Sequence, residues 1–289
     1  MAKTDWRDKI VLVTGGSSGL GRVIAEEFGA RGAVIVSVGL EATLLEQSTE
    51  EMKRQGVTVV PICADITNQA DVARVFDEVR ERFGHLDVLV NNAGRTHRGK
   101  IMETTPDEFQ SLFDLNVLGT IRCSQAAVPL LLPRRGHIIN IGSLAAKSAS
   151  RWTGAYPVTK FAVAAFSQQL RLELGPEGLH VLLVCPGPVK RSNERLYKLK
   201  QTSDIPEAAL LPGAGVQLSK IDPHKLAKRI LVACEKRQPE LVVPGKARIL
   251  FALAQLWPAL ADWIVIRKTG GTRPASSSLP DQNHHPDNH

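Results

Sequence analysis

Seven short runs of apolar and β-branched residues punctuate the first 245 positions: "KIVLVTG", "AVIVSVG", "VTVVPIC", "LDVLVNN", "HIINIGS", "HVLLVCP" and "ELVVPG". Helical patterns lie between them, over residues 21–30, 41–55, 69–83, 106–132 and 156–174, each amphipathic or apolar enough to cover a sheet face. Strands this uniformly apolar need cover on both faces, which requires parallel strands joined by crossover helices. The expected fold is therefore α/β, a doubly wound parallel seven-stranded sheet. Ligands in such sheets bind beyond the carboxyl ends of the strands, so the residues that follow each run carry the most functional weight.

At 289 residues, 43% hydrophobic and 22% charged, the chain can bury one large core, and a single domain over residues 1–245 is expected. Residues 190–222 break the strand-helix rhythm with Pro, Gly and no period, and read as a substrate flap. Residues 246–268 form a strongly apolar helical extension, and the polar stretch 269–289 is expected to be disordered, its His284, His285 and His289 included. The opening "MAKTDWRDKIVLV" has no charged and then apolar leader pattern, so no secretory signal is expected. Cys63, Cys123, Cys185 and Cys234 are widely spaced without a CxxC pair, which argues against a zinc site or a disulfide framework and for a reducing, cytoplasmic setting. Of the net charge of +7, residues 186–273 hold 16 Lys and Arg against 7 Asp and Glu. Basic residues without interleaved aromatics or a DNA-binding motif do not suggest nucleic acid; they suit a solvated surface or anionic lipid equally.

The first run ends in "TGGSSGLGRVIAEEF". Glycines at 15, 16, 19 and 21 let backbone N–H groups approach a pyrophosphate, while the helix starting near Gly21 aims its positive end at the same place. The loop differs from that of a triphosphatase, which sets Lys and then Ser or Thr after the last glycine, where Arg22 and Val23 stand here. Asp65, after the third run, offers a carboxylate to an adenine amino group. "NNAG" at 91–94 ends the fourth with two amides beside a glycine, suited to a ribose or a flat ring. Taken singly, each of these is more often a cap or a turn. The fifth run ends at Ser143, and Tyr156 with Lys160 follows. At i, i+4 the ammonium shares a helix face with the phenol and favours its phenolate, so the tyrosine can exchange a proton with an alcohol or carbonyl oxygen that a serine hydroxyl also holds. A surface Tyr/Lys pair explains YxxxK alone, but not the phosphate turn, Ser143 and Tyr156 in this order.

Through "TGGSSGLG", "NNAG", the Asn of "FDLNVLG", Ser143 and "YPVTK", residues 7–245 resemble the classical short-chain dehydrogenase/reductase family. The resemblance implies a Rossmann-type sheet of order 3-2-1-4-5-6-7, frequent homo-oligomers, and an NAD(P)-dependent oxidoreductase interconverting a ketone and a secondary alcohol. It implies Tyr156 as acid/base, Ser143 orienting the carbonyl, Lys160 also holding the nicotinamide ribose, and Asn116 supporting a water of the proton relay. The implied cofactor contacts are Gly15, Ser17, Ser18, Gly19 and Leu20 in the first turn, then Asp65 and Ile66, then Asn92, Ala93 and Gly94. Tyr156 and Lys160 join them, with Pro186, Gly187 and Val189 after the sixth strand. No metal is implied. Four positions depart from the pattern: Arg191 stands where relatives carry a carboxamide-binding Thr, Ser37 and Val38 where NAD-preferring members carry an acid, and Leu40 where many NADP-preferring members carry Arg. The missing acid favours NADP over NAD, with Glu41 as a partial counterweight.

The competing readings are a catalytically silent nucleotide-binding scaffold and a membrane-surface interaction protein that retains the fold. Residues 249–266 are nearly all apolar, hold Trp257 and Trp263, and are flanked by Lys246, Arg248, Arg267 and Lys268. Gln255, Pro258 and Asp262 interrupt a spanning helix, so peripheral membrane contact with a lipophilic substrate, or a protein interface, is expected of residues 246–268.

Overall fold

A computed structural model of the chain describes residues 5–190 and 219–268. Its seven parallel strands are β1 (Ile10–Thr14), β2 (Val34–Gly39), β3 (Val59–Cys63), β4 (Val88–Asn91), β5 (His137–Ile141), β6 (His180–Pro186) and β7 (Glu240–Val243). They form one sheet in the order β3-β2-β1-β4-β5-β6-β7. Strand alternation divides the core between its two faces. Val11 and Val13 of β1 point into one cluster with Ile24, Phe28, Leu226 and Ile230, whereas Ile10 and Leu12 point into the other with Val72, Phe76, Ala127 and Leu131. The first face is covered by α1 (Gly19–Gly29) and α7 (Pro223–Glu235), and the second by α3 (Gln69–Phe83) and α5 (Gly119–Leu131).

Local chemistry sets several helix ends. The Asn68 side chain accepts from the Ala70 and Asp71 N–H groups to start α3, and Gly84, at φ 72°, ends it. Thr105 and Glu108 form a reciprocal capping box at α4 (Pro106–Phe113). The helix expected over 106–132 is interrupted by a π-turn at Asp114–Leu118 that separates α4 from α5. α1 begins two residues before the expected start at Gly21. α2 (Ala42–Arg54) and α6 (Tyr156–Leu174) lie where the pattern put them. α7 was not read from the sequence; Asp222 caps it on the Lys225 N–H, with Pro223 at its first position. Of the expected flap, only residues 190 and 219–222 are described; the segment 191–218, with Arg191, and the tail 269–289 lie outside the described residues.

After β7, the 10-residue α8 (Ala247–Leu256) and the 11-residue α9 (Pro258–Lys268) meet at Trp257, where the residue before a proline leaves the helical region. At 1.5 Å per residue each is roughly 15 Å long, half the thickness of a hydrocarbon core. All four cysteines are free thiols, with Cys63 exposed and the others buried.

Candidate active site

The expected cofactor and catalytic residues lie beyond the carboxyl ends of β1, β3, β4, β5 and β6 and at the start of the helices that follow. The turn after β1 carries Gly15 at φ 64°, a left-handed conformation that glycine adopts without strain. At Gly21 a Cβ would lie 2.3 Å from both Asn92 Nδ2 and Gly15 O, so the helix and the turn touch through a missing side chain. No side chain caps α1 at Ser18, so its first N–H groups, which have no intrahelical partner, begin beside the turn that holds Gly15, Ser17 and Gly19. Leu20 packs into the core beneath. These features fit a dinucleotide pyrophosphate.

The two amides of "NNAG" serve the scaffold. Asn91 Nδ2 donates to Ser124 Oγ at 3.0 Å and to Asn140 Oδ1 at 2.9 Å, all buried under the sheet edge. Asn92 Nδ2 donates to the carbonyls of Thr14 and Gly15 at 3.1 and 3.2 Å, binding the end of β4 to the phosphate turn. Thr14, which sequence reasoning missed, completes that clamp: its Oγ1 accepts from the Asn92 and Ala93 N–H groups at 3.0 and 3.1 Å and donates to Val90 O. The only trace of it in the sequence is a threonine as the last residue of an otherwise apolar strand. Gly94 faces Asn116, whose Oδ1 would lie 2.9 Å from an added Cβ. Asp65 Oδ1 accepts from Thr67 N and Oγ1, both at 2.8 Å, and Ile66 is buried against Gly119. Past β6, Pro186 is the last strand residue, Gly187 N donates to Val243 O at 2.7 Å, and Val189 bridges to Ile221.

The four expected catalytic residues lie on elements that pack together: Asn116 in the π-turn, Ser143 just after β5, and Tyr156 and Lys160 in the first turns of α6. Asn116, in the π-turn, is buried; its Nδ2 donates to Arg95 O at 2.9 Å and to Thr159 Oγ1 at 3.1 Å, and its Oδ1 accepts from Arg95 N. Thr159 Oγ1 in turn donates to Tyr156 O at 2.8 Å, so Asn116 fastens the first turn of α6 to the chain leaving β4. Its side chain is thus engaged with the protein. Ser143 Oγ accepts from Ala145 N, which leaves the hydroxyl proton to donate elsewhere. Lys160 is buried, donates from Nζ to Ile141 O at 2.8 Å, and lies 5.8 Å from the Tyr156 ring centroid. Burial pushes its ammonium down to about 8. Just before Tyr156, Trp152 holds φ 65°, a backbone conformation that costs a non-glycine residue energy and that clusters near working sites.

Two other features lie apart from this neighbourhood. A cavity of ≈ 430 Å³ is lined by Lys190, Lys220, Lys225 and Arg229 and by none of the four expected catalytic residues. At the amino ends of β5 and β6, His137, His180 and Cys234 come within 4.8 Å of one another, a grouping that cysteine spacing does not reveal. There His137 Nδ1 and His180 Nδ1 are 2.8 Å apart, and His180 Nε2 meets Gln238 O at 2.8 Å. Burial pushes the two rings down to about 3 and about 4.

Known proteins share this fold. A dehydrogenase/reductase, SDR family member 7B of Danio rerio, is 32% identical over 262 residues, spanning 88% of this chain and 83% of its own length. The crystal structure of a short-chain dehydrogenase from Streptomyces avermitilis superposes with a TM-score of 0.76 at 32% identity, over 93% of this chain and 98% of that one. The L-sorbose reductase of Gluconobacter frateurii, solved with NADPH and L-sorbose, superposes at 0.73 with 27% identity, over 84% and 98%. With the short chain dehydrogenase profile matching residues 9–201, the chain belongs to the short chain dehydrogenase family of oxidoreductases.

Proposed function

We propose that this enzyme interconverts a ketone and a secondary alcohol, using NADP in preference to NAD, with Tyr156 as acid/base. The observation that carries the reading is the buried Lys160 ammonium, held on the Ile141 carbonyl one helical turn from Tyr156. Among the described residues this cation has no salt-bridge partner; its field falls on the phenol and favours the phenolate. Tyr156 Oη gives its proton to the carbonyl oxygen on reduction and takes it back on oxidation, while the Ser143 hydroxyl donates to that same oxygen as charge builds there. Asn116 acts through Thr159 and the Arg95 backbone, fixing where Tyr156 starts its helix.

When bound, the dinucleotide would supply or accept the hydride through its nicotinamide. The turn from Gly15 to Leu20 would hold its pyrophosphate, Asp65 and Ile66 its adenine end, Lys160 its nicotinamide ribose, and Gly94, Pro186, Gly187 and Val189 the ring's surroundings. The preference for NADP is supported by the end of β2: Ser37 and Val38 are buried and apolar or neutral, Gly39 lies against Ser17, and Leu40 is exposed. Nothing there repels a 2′-phosphate, and Glu41, next along, makes no cap bond that would hold its carboxylate in place. NADPH-coupled turnover with a panel of ketones tests the function. Consumption of the cofactor with at least one ketone is expected, whereas tight dinucleotide binding with no turnover of any carbonyl would make the protein a silent scaffold.

A further inference from the structure

We infer that α8 and α9 dock the enzyme on an anionic bilayer surface, with the mouth of the site turned toward the lipid. An amphipathic helix normally spends its apolar face on the core. Here Ala247 and Phe251 do so, packing on the cluster of Val117, Ala146, Val163 and Val242, yet α8 contains no buried residue. Ile249 is 69% exposed, Leu256 78% and Trp257 67%, and Leu253, Leu260 and Trp263 are exposed with them. An apolar surface this continuous marks a contact site.

The charges select the partner. Lys246 and Arg248 stand at one end of the pair and Arg267 at the other, its guanidinium 5.3 Å from the Trp263 ring centroid. Tryptophan at the boundary with cations at its sides is the composition of a surface that sits among headgroups, and the surplus of 16 basic over 7 acidic residues in 186–273 adds attraction to anionic lipid. Two helices of roughly 15 Å, broken at Pro258, can lie in that layer but cannot cross it.

A second apolar point is exposed on the chain that leaves β4. Met102, 91% exposed, and Ile101 project from the segment after β4, next to Arg98 and Lys100 in sequence. That segment is tied by the Gly99–Thr153 bridge to the loop leading into Tyr156. The base of the helix pair is tied to the segment that follows Ser143: Arg248 Nη2 donates to Glu240 O at 2.9 Å, and Glu240 pairs at 2.8 Å with Lys147, four residues past Ser143. A lipophilic carbonyl leaving the bilayer would therefore enter between the two contacts. This last clause rests on the proposed function; the docking does not.

Flotation of the full chain on density gradients tests the docking without any turnover readout. Wild type should float with phosphatidylcholine vesicles containing phosphatidylserine, less so at high salt, and stay at the bottom with phosphatidylcholine alone. The triple variant Leu253→Glu, Trp257→Glu, Trp263→Glu should lose at least about tenfold in bound fraction. Met102→Glu, a change at an exposed side chain, should weaken binding while leaving far-UV circular dichroism unchanged, which covers the case in which the triple variant misfolds. Wild type remaining at the bottom with both vesicle types overturns the inference. So does a folded triple variant that floats like wild type, or one that fails to float because it has lost an oligomeric state that wild type keeps without lipid.

Discussion

Lys160 Nζ donates to the carbonyl oxygen of Ile141 at 2.8 Å, so the cation beside Tyr156 is also the bond that fastens α6 to the end of β5, two residues before Ser143. One side chain thus fixes the distance between the strand that carries the serine and the helix that carries the tyrosine. Its placement is buried and specific, and the consequences are measurable.

Tyr156→Phe removes only the oxygen that moves the proton. Turnover should fall by about 10² to 10⁴, the usual contribution of a general acid/base, with dinucleotide affinity nearly unchanged. Lys160→Ala should lose both turnover and affinity, as followed by fluorescence titration with NADPH. A Tyr156→Phe enzyme retaining more than about a tenth of wild-type kcat would exclude the assigned role.

The Lys160 ammonium, pushed down from 10.5 to about 8, is charged below that pH and neutral above it. Dinucleotide affinity should therefore weaken as pH rises through about 8, and Lys160→Ala should be flat over that window. Because the unfolded chain still binds this proton up to 10.5, stability should rise with pH between about 8 and 10.5, by up to roughly 1.4 kcal/mol per unit for one group.

The kcat/KM ratio for NADPH over NADH should exceed one, and Leu40→Asp should shift it toward NADH by about tenfold or more, since a carboxylate at the end of β2 bonds a free 2′-hydroxyl and repels a phosphate. A wild-type preference for NADH of about tenfold would refute the cofactor assignment.

Thr14→Val keeps shape and removes the hydroxyl that two half-buried N–H groups use. It should cost roughly 1–3 kcal/mol for each donor left unpaired, read from urea midpoints, and weaken dinucleotide binding as the Asn92 clamp loosens. Unchanged stability would mean that the turn is held by other contacts.

His137 and His180 are held neutral, with pKa values lowered from 6.5 to about 3 and about 4. A buried neutral ring contributes full stability above the unfolded value and loses it as pH falls, because the unfolded chain then binds more protons. Thermal midpoints should therefore drop between pH 6.5 and about 4, and His180→Gln should show a shallower slope. Equal slopes would show that the acid transition comes from other groups.

The seven strands, most of the helices between them, the parallel sheet and the positions of Ser143, Tyr156 and Lys160 were legible in the sequence, because each rests on chemistry confined to a few neighbouring residues. Apolar runs need cover, "TGGSSGLG" frees a backbone turn, and a spacing of four puts Tyr156 and Lys160 on one helix face. What the tertiary structure alone decided involves partners far apart in the chain. Asn92 and Thr14 are 78 residues apart. Asn116 reaches back 21 residues to Arg95 and forward 43 to Thr159. His137 and His180 meet only because β5 and β6 pair in register. A local pattern carries no information about which distant donor will satisfy a buried acceptor, so the amides of "NNAG" read as ligand groups when their side chains serve the scaffold. The same limit applied to residues 246–268: the sequence specified how apolar they are, and packing decided that Phe251 turns inward while Trp257 faces out, since a helix face is buried only where another surface arrives to cover it.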